Sequence, residues 1–138
     1  MTNFTDVGEF HKKFDLPVYE GADAIPVERW RDTGLMDYRV KFLQEELDEF
    51  ILGLADGDIA QMADALVDLV YVAQGTAHML HLPWEVLWDD VQRANMAKER
   101  AAKDGSDSKR GSAWDVVKPE GWTPPSTEAI LRNHGFDI

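Results

Sequence analysis

Acidic side chains recur in this sequence at spacings that suit a shared cation. Glu46 and Glu49 stand three residues apart with Glu45 beside them, and Asp64 and Asp68 stand four apart. A helix turns about 100° per residue, so positions three and four apart share a face. Each pair can therefore aim two carboxylates at one point. Oxygen-only ligands suit hard divalent ions, which favours Mg2+, with Mn2+ as a substitute, over zinc. Such an ion keeps open positions, and its usual ligand is a phosphate chain. Further along, Asn95 and Lys98 offer an amide and an ammonium three residues apart, and Lys109, Arg110 and Lys118 follow. These are donors that phosphate oxygens accept from. The competing reading of the acids is a solvated helix face, or pairing with Arg39 or Arg93.

Helices must position these residues. Over residues 37–55, Val40, Leu43, Leu47, Phe50 or Ile51, and Leu54 form an apolar stripe. A neighbouring stripe carries Arg39, Phe42, Glu46, Glu49 and Gly53. Asp56-Gly57-Asp58 ends this helix and caps the next. Residues 59–81 are apolar on nearly all sides, which predicts burial on most of them. Yet Asp64 and Asp68 share one face there, in line with Tyr71, Gly75 and His78. Two carboxylates on a buried face repel, and desolvating each is costly unless a cation compensates. The short turn makes the two helices antiparallel neighbours, so Glu46 and Glu49 are expected to join them. His78 lacks a paired histidine and reads as a core or capping residue.

The remaining segments frame this pair. Thr5 is expected to cap a short first helix that ends near Leu16-Pro17, and residues 19–33 read as loop. Pro83 opens a further helix in which Trp84, Trp88, Val91, Asn95 and Lys98 share a face, expected to run to Asp104-Gly105. No stretch alternates as a half-buried strand does. After Gly105 the composition becomes polar and Pro/Gly-rich, until Ser126 caps a last short helix closed by Gly135. The expectation is an all-α fold, a four- to five-helix bundle with an irregular C-terminal tail. Residues 1–104 form its helical catalytic part, and 105–138 a basic loop and short helix of the same single domain.

Composition narrows the function classes. The chain has 138 residues with 14 basic and 26 acidic side chains, a net charge of −12. That balance argues against a broad grip on a nucleic-acid polymer. The absence of cysteine excludes disulfides and thiolate metal sites and is compatible with a reducing cytoplasm. The longest apolar stretch, residues 65–73, is interrupted by Asp68 and too short to span a membrane. The N-terminus lacks a signal-peptide pattern, so a cytoplasmic location is expected.

Glu45-Glu46-Leu47-Asp48-Glu49, Asp64-Ala65-Leu66-Val67-Asp68 and Arg93-Ala94-Asn95-Met96-Ala97-Lys98 resemble the motifs of the all-α nucleoside triphosphate pyrophosphohydrolases. That superfamily comprises MazG, the dimeric dUTPases and phosphoribosyl-ATP pyrophosphohydrolase. Phe10-His11-Lys12-Lys13-Phe14, Gly75-Thr76-Ala77, Leu82-Pro83-Trp84 and Lys118-Pro119-Glu120-Gly121-Trp122 are similar to its small phage and bacterial members. The family pattern is ExxE followed by ExxD. Glu46, Glu49 and Asp68 match it, whereas Ala65 stands where the second glutamate belongs and the nearest acid is Asp64. The resemblance implies Mg2+-dependent cleavage of a (d)NTP to the monophosphate and pyrophosphate by a homodimer or homotetramer. It implies Glu46, Glu49, Asp64 and Asp68 on the metal and Glu45 orienting the water. Asn95 and Lys98 would hold phosphates, assisted by Arg39, Lys109 and Arg110, with Tyr71 against the sugar. The alternatives are phosphoribosyl-ATP as the substrate, or a non-catalytic acidic module that docks a basic partner.

Overall fold

Polar caps set where the helices begin. Helix α1 (Asn3–Lys13) opens at Thr2, whose hydroxyl accepts from the Thr5 N–H at 3.3 Å. The Thr5 hydroxyl in turn accepts from the Thr2 N–H at 2.9 Å, a reciprocal box that places the cap at Thr2 rather than Thr5. After a loop with a 3-10 turn at Arg29–Arg31, helix α2 (Thr33–Asp56) begins earlier than its apolar period predicts. The cause is Asp32, whose carboxylate accepts from the Leu35 N–H at 3.0 Å. Gly57 ends α2 in the left-handed conformation at φ 65°, and Asp58 caps helix α3 (Ile59–Met79). The structure describes all residues 1–138 and is a computed structural model. Its class is all-α. Helices α4 (Trp84–Met96) and α5 (Thr127–Asn133) complete the set, with one two-stranded antiparallel ladder.

Packing divides the chain into two compact units. The first holds residues 1–84 and 134–137, thus α1, α2 and α3. Its centre is Phe4, Val7, Val72, Ala77 and Met79, all buried. His78 stacks on Phe4 at 3.8 Å between centroids. The His78 Nδ1 accepts from the Tyr19 N–H at 3.0 Å, so its proton sits on Nε2, which donates to the Phe4 carbonyl at 2.8 Å. His78 is a core residue that ties the first loop to α1 and α3.

The second unit holds residues 85–133 and 138. Here the structure corrects the expectation of a helix running to Gly105, because α4 stops at Met96. Strand β1 (Glu99–Arg100) instead pairs with β2 (Val116–Val117), Glu99 opposite Val117 and Arg100 opposite Val116. The tail then returns along α4 through polar bonds. The Trp122 indole N–H donates to the Ala94 carbonyl at 2.7 Å, and Arg93 donates to the Thr123 hydroxyl and the Pro124 carbonyl. These bonds put the packing boundary upstream of the composition shift at Gly105.

Candidate functional site

The most extensive helix contact in the chain is α2 against α3. Helix α2 buries Arg39, Glu46 and Gly53 there, so the stripe turned to α3 is the charged one. Its apolar neighbour stripe faces outward, with Val40, Leu47, Ile51 and Leu54 between 41% and 64% exposed. On α3, Ala65 and Val72 are buried while Leu66, Val67 and Val70 stay about half exposed or more. The burial of α3 on most sides is therefore not met within one chain. Small residues explain which faces meet. A side chain added at Gly53 would lie 3.0 Å from the Met62 backbone nitrogen, and one at Gly75 would lie 2.9 Å from the Arg39 guanidinium.

Three of the expected carboxylates converge at this contact. One oxygen from each of Glu46, Glu49 and Asp68 lies within 4.8 Å of the others. Glu46 is buried, Asp68 half-buried and Glu49 exposed, so the group opens outward from a closed floor. The floor oxygen, Glu46 Oε2, is buried with no hydrogen-bond partner. Burial, then the charges of Glu49 and Asp68, push the Glu46 carboxyl above the usual carboxylate range. The ion pairs at Glu28, Asp90, Asp115 and Glu128 include none of these acids. A buried carboxylate oxygen without a donor costs free energy that only a cation or a proton relieves. The set is therefore chemically suited to a divalent ion.

The other expected residues fall elsewhere. Asp64 is exposed and lies outside the convergent group. Glu45 is exposed on α2, where it lines a hollow with Tyr38 and Phe42. Tyr71 meets α1 rather than the carboxylates, edge-on to Phe10 at 5.4 Å between centroids. Burial raises its hydroxyl pKa, with the charge of Asp6 adding to it. Arg39, expected beside phosphates, is 5% exposed and engaged with α3. Its Nε donates to the Thr76 hydroxyl at 2.9 Å and its Nη2 to the Val72 carbonyl at 2.9 Å.

In the second unit, Lys98, Lys109 and Arg110 line one hollow of about 410 Å3 together with Lys118, Asp107 and Asp115. The Lys98 and Lys118 ammonium groups lie 5.4 and 4.9 Å from the Trp122 ring centroid. Asn95 is exposed at the end of α4, where its carbonyl accepts from the Lys98 N–H at 3.1 Å. Asp115, which residue spacing did not single out, organises this hollow. Its carboxylate accepts from the Ser108 hydroxyl, Arg110 and the Val116 N–H at 2.6, 2.6 and 2.8 Å. Those three donors hold its pKa down to about 2.

Residues 7–95 match the family model of phosphoribosyl-ATP pyrophosphohydrolase. No curated protein matches the chain at a significant level. No helix is long and apolar enough to cross a membrane.

Proposed function

The chain belongs to the phosphoribosyl-ATP pyrophosphohydrolase family, and from that premise we propose that it hydrolyses a nucleoside triphosphate, (d)NTP, to the monophosphate and pyrophosphate. The family makes it a pyrophosphohydrolase, a hydrolase of acid anhydrides. The observation that carries the proposal is the buried, unpartnered Glu46 Oε2 facing Glu49 and Asp68. Mg2+, or Mn2+ in its place, would be held by Glu46, Glu49 and Asp68, and when bound it neutralises phosphate oxygens. Asp64, exposed four residues before Asp68 on α3, would orient a water of the ion's hydration shell.

Hydrolysis breaks the bond between the α-phosphorus and the oxygen bridging to the β-phosphorus. Water supplies the new oxygen on the monophosphate and loses one proton, and pyrophosphate leaves with the bridging oxygen. Glu45, next to Glu46 in the chain and exposed, is the residue assigned to orient the water and take its proton. The leaving pyrophosphate gathers negative charge, which ammonium and guanidinium donors stabilise. Within the second unit, Lys98, Lys109, Arg110 and Lys118 around one hollow, with Asn95 nearby in sequence, are donors of that kind.

A panel of NTPs, dNTPs and phosphoribosyl-ATP, assayed for pyrophosphate with Mg2+ and with chelator, tests the proposal. Release from one or more (d)NTPs supports it. Exclusive use of phosphoribosyl-ATP, the substrate in the family's name, replaces it with that narrower reading, and release from none defeats both.

A homodimer or homotetramer accompanies this reading. The outward stripe of Val40, Leu47, Ile51 and Leu54 is helical in period and apolar, and nothing in one chain covers it. Sedimentation should give a multiple of 15.6 kDa, and Leu47→Glu with Ile51→Glu should return the monomer mass. A monomeric wild type would reject the assembly without touching the site.

A further inference from the structure

Eight residues before Glu46, on the same helix, the structure holds two aromatic rings stacked nearly parallel beside an open hollow. Tyr38 and Phe42 lie 5.9 Å apart between centroids with an interplanar angle of 10°. Gly34, Asp37, Lys41 and Glu45 complete the lining of a hollow of about 600 Å3. Tyr38 is 51% exposed, so much of its ring lacks a protein partner. The Arg39 guanidinium lies 5.5 and 5.4 Å from the two ring centroids and is itself fixed by Val72 and Thr76. The rings are thus held in place before anything stacks on them.

Position on the helix links this hollow to the carboxylates. Tyr38, Phe42, Glu45 and Glu49 follow one another at spacings of four, three and four residues, which is one stripe. At the helical rise, Phe42 is about 6 Å and Tyr38 about 12 Å along the axis from Glu46. A nucleotide whose phosphates lie at Glu46 and Glu49 has a ribose to cross before its base begins. The rings are where that base arrives.

We propose that Tyr38 and Phe42 form the platform on which the substrate's base stacks, with Asp37 and Lys41 reading its edge. This rests on the (d)NTP reading above. The Asp37 carboxylate accepts from a base N–H, and the Lys41 ammonium donates to a base carbonyl. Neither takes part in the ion pairs at Glu28, Asp90, Asp115 and Glu128. Guanine, uracil and thymine offer an N–H next to a carbonyl, whereas adenine has no carbonyl.

Calorimetry with α,β-imido dUTP, α,β-imido dGTP, α,β-imido ATP and inorganic tripolyphosphate, each with Mg2+, tests this. Tyr38→Ala should weaken the dUTP or dGTP analogue roughly tenfold, the scale of one base–aromatic stack, and leave tripolyphosphate unchanged. Tyr38→Phe should restore the affinity. Lys41→Gln should narrow the preference over the ATP analogue. An equal loss for nucleotide and tripolyphosphate, or no loss for either, overturns the platform. Wild-type binding of tripolyphosphate as tight as that of every nucleotide analogue also overturns it, while leaving the phosphate reading intact. Wild type binding none of the four probes overturns both.

Discussion

Helix α2 buries two charges on one stripe, seven residues apart, and treats them oppositely. Arg39 is 5% exposed and Glu46 is 7% exposed. The Arg39 guanidinium donates to a carbonyl and a hydroxyl of α3. Glu46 keeps one oxygen without any donor and faces two further carboxylates. A satisfied buried charge is part of the scaffold. An unsatisfied one, among charges of its own sign, is a site waiting for something the chain does not supply. Equal burial on one helix thus separates structure from chemistry by hydrogen bonding alone.

The largest effect should come from removing the unsatisfied charge. Glu46→Ala, or Asp68→Ala, should abolish Mg2+ uptake in calorimetry. Turnover should fall by more than the roughly 100-fold that loss of an outer ligand-orienting group costs. In chelator these variants should melt no lower than wild type, because a like-charge cluster has been relieved. Metal-dependent turnover that survives Glu46→Ala would erase the contrast.

Arg39→Met should do the reverse. It removes the charged donor that the Val72 carbonyl and the Thr76 hydroxyl share, leaving them only their own bond at 2.8 Å, and loosens Tyr38 and Phe42. A loss of about 2–4 kcal/mol is expected, roughly 5–10 °C in melting temperature, with Mg2+ uptake retained. An unchanged melting temperature with a raised KM would instead make Arg39 a phosphate ligand, as its charge alone suggests.

Gly75→Ala probes the same scaffold more gently. Its methyl would lie 2.8 Å from His11 Nε2 and 2.9 Å from Arg39 Nη2. Both neighbours are buried and tied by hydrogen bonds, Arg39 to α3 and His11 Nδ1 to the Pro17 carbonyl at 2.6 Å. A cost of about 1–3 kcal/mol follows, read as a lower denaturant midpoint. A neutral result would mean that the Arg39 end of the interface yields freely.

The convergence of Glu46, Glu49 and Asp68 was legible in the sequence because it depends on helical spacing and a short turn, both local. What escaped was non-local. Hydrophobic period marks Val40, Leu47, Ile51 and Leu54 as a buried face but does not say whether α3 or a second chain buries it. The early start of α2 hangs on one carboxylate, Asp32, placed ahead of the apolar period. The end of α4 was missed because β1 finds its partner in Val116 and Val117, across the Gly-rich tail. Arg39 reads as a free cation until Val72 and Thr76 are seen opposite it. A side chain's type announces its capacity, and only its partners decide its use.

The smallest effect concerns protons and sharpens the contrast from the scaffold side. Burial lowers the pKa of His78 below its ordinary 6.5, and the same cause acts on His11. Above about pH 6.5 both rings are neutral whether the chain is folded or not, so stability does not vary on their account. Below it the unfolded chain takes protons that the folded rings refuse, and stability falls as pH drops toward the lowered folded values. Each ring contributes at most about 1.4 kcal/mol per pH unit. His78→Gln keeps a donor for the Phe4 carbonyl but cannot titrate. It should be less stable at pH 7.5, having lost the stack on Phe4, yet lose stability less steeply between pH 6.5 and 5.5. Denaturant midpoints across that range decide it, since parallel curves for wild type and variant would mean that the buried imidazole accepts its proton as readily as a solvated one.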